Sequence, residues 1–325
     1  MSDHEKNRIE SGPFDIQSVN DVWKKARRKS MVRNIIISMI VSIMVLIGGY
    51  IGNQLLANDR GWDAFTPIEL NEKIMGPNVY LARPQFRYEF LGGTLSYHTY
   101  KVIENRVIPW GDHHYSFHIF NGQATPLMGG GRGVQVNEGD QLKRFYNESS
   151  GEREMMFFHP SVSFKQSIDD LSLLDQMNDD AYLEFALSFD KGYTLDQVNE
   201  MMPQNVHSTW YWANSFLEGD LEMLKELQEP LRADSLYGFQ AYRDRLNPVQ
   251  KTTEEQFMKD VLSVASSKNI YYSEPAQKAY EAIKENQKTG MIIGIVVTGT
   301  RDQLKSLQGL PFIRAASLGA TVDKY

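Results

Sequence analysis

The sequence contains no cysteine among its 325 residues. This absence excludes a disulfide scaffold, a thiolate zinc site, an iron–sulfur cluster and a cysteine nucleophile. A strong charge of one sign is also absent, because 34 Lys and Arg stand against 41 Asp and Glu, a formal net charge of −7. A mildly acidic total argues against a direct nucleic-acid partner, which needs a clustered basic face. The length predicts about two domains.

Recognisable catalytic patterns are absent as well. The glycine run at residues 129–133 lacks the Lys-Ser/Thr of a phosphate loop, and it predicts a hairpin loop. The one histidine cluster, His113, His114 and His118, alternates with apolar residues, which favours a strand over a zinc-binding helix. Solvated or hydrogen-bonded histidines are the favoured interpretation, and a metal site completed from elsewhere is the alternative. We therefore expect no enzyme, no metal and no cofactor.

One long hydrophobic run stands out in this otherwise hydrophilic chain. Residues 35–57 contain no charged residue over 23 positions. As a helix this run is about 34 Å long, enough to cross a hydrocarbon core of about 30 Å. A signal peptide has a shorter apolar stretch after a short basic start, whereas 33 residues precede this one. We expect residues 34–57 to form a single transmembrane helix.

Charge on the two sides of this run predicts its orientation. The basic residues just before the run are Lys24, Lys25, Arg27, Arg28, Lys29 and Arg33. The positive-inside rule then places the N-terminus in the cytoplasm and the remainder outside, with Tyr50 and Trp62 near the outer face of the membrane. The formal charge is +3 over residues 1–33 and −10 over residues 58–325. The expected location is the cell membrane, with an extracytoplasmic C-terminal domain.

The tail at residues 1–33 is too short to build a core of its own. Ser18 and Asp21 fit a capping box, which predicts a helix that starts there and continues into the membrane. In one interpretation this helix is a juxtamembrane segment whose basic residues hold anionic lipid headgroups. In the other it docks on a cytoplasmic partner through an apolar surface, which we call the tail patch. The tail patch consists of Phe14, Ile16, Val19, Val22 and Trp23.

The part after the span predicts an α+β fold in two regions. Residues 58–170 are rich in aromatic and β-branched residues separated by turn signals, which predicts an extracytoplasmic β-rich module. Residues 171–325 contain two strand–helix–strand units, whose helices share a T-x-D-Q start at Thr194 and Thr300. Two such units suggest a ferredoxin-like split βαβ domain, here with a helical insertion at residues 218–288.

Two tryptophans flank a tyrosine in one predicted strand of this domain. Trp210 and Trp212 share one face of the strand, and Tyr211 lies on the other. Packing in the core under the helices is the favoured interpretation. The alternative is an outer-domain ligand platform, exposed to bind envelope ligands. With such a platform the chain would be a membrane-anchored envelope-binding module without a transcriptional role.

Several strings of the sequence form a recognisable combination. They are residues 24–33, Gly76-Pro77-Asn78, residues 184–195, Pro203, Trp210-Tyr211-Trp212, Tyr237-Gly238-Phe239, residues 294–300 with Leu304 and Leu307, and residues 313–319. Their order resembles the sigma factor regulator family of Gram-positive bacteria, over residues 20–60 and 150–325. The resemblance implies a single-pass membrane anti-sigma factor for an extracytoplasmic-function sigma factor. It implies that the tail keeps the sigma factor from RNA polymerase and that the outer domain responds to envelope stress.

The tail departs from this pattern in its length. Anti-sigma proteins generally use a cytoplasmic domain longer than 33 residues, and here a single helix is available. Either that helix is sufficient, or it acts with a second membrane protein, or this chain is an accessory regulator.

Overall fold

The computed structural model describes residues 16–129, 133–138, 142–165, 167–243, 250–267 and 269–325. Contacts between residues divide the chain into two units, Met1–Leu56 and Ala57–Tyr325. The first unit is helical where it is described, and the second combines sheets and helices. The chain is therefore α+β, with one long apolar N-terminal helix and a β-rich C-terminal region.

The longest element is helix α1, Ile16–Ile74, with 59 residues. Every described side chain from residue 20 to residue 51 is exposed. Within the described residues, this is the one helix long and apolar enough to cross a membrane, by length and composition. The helix already includes Ile16 and Gln17, so the expected start at Ser18 is wrong. A capping box is a local signal, and it does not prevent helix-compatible residues before it from joining the helix.

In the second unit, α1 continues to Ile74, beyond the predicted end of the span. Ala64, Phe65 and Ile68 are buried there against a sheet, together with Leu95. The α1 residues beyond position 57 are thus held in a helix by packing on one side. The expected β-rich module begins only after this helical segment.

The sheet that α1 packs on is antiparallel. Its strands are β1 Val79–Leu81, β2 Gln85–Glu89, β3 Gly92–Ile103, β4 Arg106–His118 and β5 Thr125–Gly129. The order is β1-β3-β4-β5, and β2 pairs with β3. Next come the hairpin of β6 Val134–Glu138 and β7 Leu142–Tyr146, and the short strand β8 Met156–Phe157. The glycine run joins β5 to β6, which lie in different sheets, so the expected hairpin loop is wrong; residues 130–132 lie outside the described residues.

A second antiparallel sheet organises the C-terminal half. Its strands are β9 Ala181–Tyr193, β10 His207–Ala213, β12 Gly238–Gln240, β13 Ile292–Thr300 and β14 Ile313–Asp323, and β11 Leu231–Arg232 pairs with β8 instead. The order is β12-β10-β13-β9-β14. The helices are α2 Leu195–Met201, α3 Glu218–Leu227, α4 Glu254–Ala265, α5 Ile270–Asn286 and α6 Arg301–Leu304.

The two T-x-D-Q motifs both start helices, as predicted. Thr194 accepts a hydrogen bond from the Gln197 amide, Thr300 accepts one from the Gln303 amide, and both capping boxes are complete. The first helix of the expected insertion, α3, ends at Leu227. Its last turn stops because the next residue adopts a left-handed conformation, with φ of 53°, and Pro230 follows shortly after.

Candidate functional site

The tail patch is exposed where the structure describes its side chains. Val22 and Trp23 lie on α1 with 65% and 73% of their surface exposed. Ile16 and Val19 lie on the same helix, and Phe14 is outside the described residues. A large aromatic side chain in contact with neither core nor sheet is available to another molecule. Val22 and Trp23 are therefore accessible, as binding of a partner by the tail patch requires.

The predicted basic residues accompany this patch on α1. All six are exposed, and they follow Trp23 directly and end just before the uncharged run. Their placement along the helix is compatible with contact to anionic headgroups, which attract juxtamembrane Lys and Arg by roughly 1 kcal/mol each. The headgroup and partner interpretations therefore apply to adjacent stretches of one helix.

Trp210 and Trp212 do not form an exposed platform, and that alternative is wrong. Both are completely buried, and they pack with Phe157, whose ring centroid lies 6.0 and 5.2 Å from theirs. Tyr211 faces the other side of the sheet and packs with Phe239 beneath the helices. The tryptophan face is covered by the segments that contain β8 and β11, which the sequence pattern did not place there. An envelope-binding function through these tryptophans loses its basis.

The histidine cluster lies on a strand, β4, as predicted. His114 and His118 are exposed, whereas His113 is half-buried and stacks on Tyr97 with ring centroids 4.7 Å apart. Burial lowers the pKa of His113. In the part of the chain that the structure describes, no group of three His, Cys, Asp or Glu is placed to hold a metal ion.

A buried ion pair connects the two five-stranded sheets of the second unit. The Lys101 Nζ on β3 donates to the Glu184 Oε2 on β9 at 2.8 Å, and both side chains are almost completely buried. The Asn78 Nδ2 donates to the other oxygen of Glu184 at 2.8 Å. Lys101 also lies 4.0 Å from the centre of the Trp110 ring. The pair joins residues far apart in sequence. Asn78 and Glu184 belong to the strings that carry the family resemblance, whereas no sequence pattern includes Lys101.

A cavity of about 210 Å³ lies in the second unit, beside this pair. Its wall includes Glu72 from the end of α1, Met75 just after it, Trp110 and His113 from β4, and Glu154. Glu154 is paired with an arginine, Arg232, at 3.0 Å. The cavity is therefore lined by carboxylates as well as by aromatic rings.

Glu72 is the unusual group in this cavity. Burial raises the pKa of its carboxyl from 4.5 to about 7. Among the described residues no cation lies within ion-pair distance of it, so nothing offsets the cost of desolvating its charge. Its charge also raises the pKa of Tyr97 and of Tyr272, alongside burial of their hydroxyls. Near neutral pH this carboxyl can exchange a proton in response to its surroundings.

Comparison with known families matches two parts of the chain. Residues 21–108 match the family described as sigma factor regulator N-terminal, and residues 174–320 match the one described as sigma factor regulator C-terminal. The first match includes the end of the tail, the apolar run and the strands up to the start of β4. The second match covers most of the C-terminal sheet, β12-β10-β13-β9-β14, and its helices. No curated protein and no solved structure matches the chain.

Proposed function

The chain belongs to the sigma factor regulator family, and on that premise we propose that it is a single-pass membrane anti-sigma factor. Its partner is an extracytoplasmic-function sigma factor, held at the membrane by the tail patch. The observation that carries the proposal is the exposed Trp23 and Val22 pair on a helix within the matched N-terminal region. Family membership is regulatory in kind, so we propose no enzymatic role.

The topology follows from charge and length. We propose that residues 34–57 cross the membrane with the tail in the cytoplasm, because all six predicted basic residues precede the span. A sigma factor acts on RNA polymerase in the cytoplasm, so this orientation is the one in which the tail reaches it. Tethering keeps the tail at the membrane surface. A sigma factor bound there is held away from the nucleoid.

The second unit is proposed to sense envelope conditions. Its matched C-terminal region has two strand–helix–strand units and the strand order β10-β13-β9-β14, which supports a ferredoxin-like split βαβ sheet with β12 added at its edge. The cavity beside Glu72 supports a sensing role, because it brings an unpaired carboxyl to the end of the helix that carries the tail. A ligand or a pH change there would act on α1 itself.

Binding of the sigma factor is tested with the full chain in lipid nanodiscs. The chain is mixed with the extracytoplasmic-function sigma factor encoded closest to it, and bound protein is quantified. We expect wild-type protein to retain the sigma factor and Trp23→Ala to lose most of it. Met31→Ala is the matched control, because Met31 is an exposed apolar residue of the same helix outside the tail patch. Retention by Trp23→Ala equal to wild type would remove the tail patch from the proposal.

Further arms of the same experiment address the short tail. Retention only when a second membrane protein is co-reconstituted would show that the helix acts together with that protein. No retention of any sigma factor in either arrangement would contradict the anti-sigma function.

A further inference from the structure

Two phenylalanines of the second unit are exposed to an unusual degree. Phe90, in the turn between β2 and β3, has 85% of its surface exposed, and Phe120, after β4, has 78%. Single exposed apolar residues are common and need no explanation. Two exposed phenylalanines at neighbouring turns instead form an apolar projection, which indicates contact with a partner other than water.

The two turns are joined to each other. In the β3–β4 register Gly92 lies opposite His118, and the Ile119 amide donates to the Leu91 carbonyl at 3.2 Å. Phe90 directly precedes Leu91, and Phe120 directly follows Ile119. Both rings therefore belong to one end of the sheet, and we call these two turns the aromatic turns.

The aromatic turns are also joined to the part of α1 that directly follows the apolar run. The Arg60 Nε donates to the Ile119 carbonyl at 3.1 Å, and the Tyr88 hydroxyl donates to the Asn58 Oδ1 at 2.8 Å. Asn58 is the first residue after the uncharged run. This end of the sheet is thereby fixed close to the point where the chain leaves the proposed span.

The direction of β2 shows which way the turns project. Asn58 contacts Tyr88, whereas Gly61, further from the proposed span, approaches Phe86, whose ring lies 3.0 Å from a Cβ built on that glycine. β2 thus runs antiparallel to this part of α1, and its last residues lie on the Asn58 side. At about 3.3 Å per residue, the two steps from Tyr88 to Phe90 carry the chain roughly 7 Å further in the direction of the N-terminal residues of this α1 segment.

The opposite end of the same sheet has a different chemistry. The β3–β4 turn there consists of Glu104 and Asn105, and Arg106 follows. Charged and amide side chains are suited to water or to polar protein surfaces. Apolar turns are thus confined to the end of the sheet that lies beside the exit of the span.

We propose that Phe90 and Phe120 insert into the interfacial layer of the bilayer that α1 crosses. Their partner is lipid, and the aromatic turns form a second membrane contact next to the helix. This contact anchors the sheet to the membrane surface next to the helix. The inference rests on the proposed membrane span and is independent of sigma-factor binding and of which side of the membrane the unit occupies.

Site-directed spin labelling suits the test, because the natural chain contains no cysteine. Phe90→Cys and Phe120→Cys are each labelled with a nitroxide in the full chain, reconstituted in nanodiscs of phosphatidylcholine and phosphatidylglycerol. Accessibility to oxygen, which partitions into lipid, is compared with accessibility to a water-soluble nickel chelate. Val107→Cys, an exposed apolar residue near the opposite end of the sheet, is the matched control, and Val45→Cys within the span is the lipid reference.

We expect the oxygen-to-nickel accessibility ratio at positions 90 and 120 to be several-fold higher than at position 107 and to approach that at position 45. Ratios at 90 and 120 equal to that at 107, with a lipid-like ratio at 45, would overturn the inference alone. A water-like ratio at 45 would overturn the span and the inference with it. Low accessibility to both reagents at 90 and 120 would show that protein covers the turns, which also overturns a lipid contact.

A second variant set keeps the label away from the phenylalanines. Asn121→Cys is labelled in a chain that retains both rings and again in one that carries Phe90→Ser and Phe120→Ser. We expect the ratio at position 121 to fall toward that at position 107 when both rings are replaced. An unchanged ratio would show that the rings do not hold this turn in lipid, and it would overturn the inference.

Discussion

Apolar residues of the same type differ in solvent exposure between the two units of the chain. Trp23 in the first unit is largely exposed, and Trp212 in the second is completely buried. Leu46 of the apolar run is likewise exposed, whereas Leu187 of β9 has no contact with solvent. In the second unit water drives these side chains into a core. In the first unit the exposed apolar surface indicates that another medium takes the place of water, which we propose is lipid for the run and a protein for the tail.

Charged residues differ between the two units in the same direction. The charged residues that the structure describes in the first unit are exposed, whereas the second unit buries Lys101 and Glu184 as a pair. A buried pair of this kind is costly to form and more costly to break, because one remaining charge has no partner. The second unit thus depends on specific polar contacts in its interior, and the first on the medium around it.

Breaking the buried pair is expected to have the largest effect. Lys101→Met leaves Glu184 without its cation in the interior, and we expect it to lower the free energy of unfolding by about 3–5 kcal/mol. Lys143→Met is the control, because its pair with Glu229 is exposed on both sides and is worth about 0–1 kcal/mol. Urea unfolding in detergent, followed by the fluorescence of the buried tryptophans, measures both. Equal losses in the two variants would contradict the assigned role of the interior pair.

Charging the apolar run tests the other half of the contrast. Leu46→Lys is expected to disfavour membrane insertion by roughly 3 kcal/mol, the usual cost of Lys near the centre of a span. Val107→Lys places the same charge at another exposed apolar position, in the second unit, and we expect it to leave insertion unchanged. The fraction of protein that resists alkaline extraction from membranes reports the result. If both variants stay fully inserted, position 46 does not lie in the hydrocarbon core.

Glu72→Gln is expected to change the pH dependence of stability. The pKa of Glu72 is about 7 in the folded chain and 4.5 without burial, so folding favours its protonated form. The free energy of unfolding of the wild type should therefore fall as pH rises from about 4.5 to about 7. The loss is on the order of 2 kcal/mol, and it is complete above pH 7. The variant should lack this loss. Glu69→Gln, an exposed position one turn earlier on α1, is the control, and thermal unfolding at pH 4 and pH 8 compares them.

No difference between Glu72→Gln and wild type at pH 8 would show that the carboxyl is ionised without cost. The cavity would then lose its proposed pH response.

The two capping boxes are expected to contribute least. Thr194→Ala removes the acceptor for the Gln197 amide, and we expect a loss of about 1 kcal/mol. Thr194→Ser keeps the hydroxyl and should retain most of the stability. Unfolding curves of the two variants provide the check, and identical curves would mean that the cap contributes nothing measurable.

Much of the architecture could be predicted because its signals are local. Spacing within a few residues marks the uncharged run, the strands of the C-terminal sheet and the starts of α2 and α6. The extension of α1 could not be read in this way. Gly61 and Pro67 look like helix breakers in the sequence, and the packing of Phe65 on Tyr97, 5.9 Å between ring centroids, joins segments distant in sequence.

The site residues follow the same division. Exposure of Trp23 was predictable, because a tail of 33 residues has no core to enter. Burial of Trp212 on the face away from the helices depends on β8 and β11, short segments with little periodic signal. The Lys101–Glu184 pair and the burial of Glu72 depend on contacts between separate elements, and no local pattern contains them.

The most direct test of the anti-sigma function is transcription in a purified system. RNA polymerase and the cognate sigma factor transcribe a promoter of that sigma factor, and nanodiscs with the full chain are added at increasing concentration. We predict that wild-type protein and Met31→Ala suppress transcripts from this promoter and that Trp23→Ala does so far less, with a promoter of the housekeeping sigma factor unaffected. Unchanged transcription at saturating wild-type protein would contradict the account.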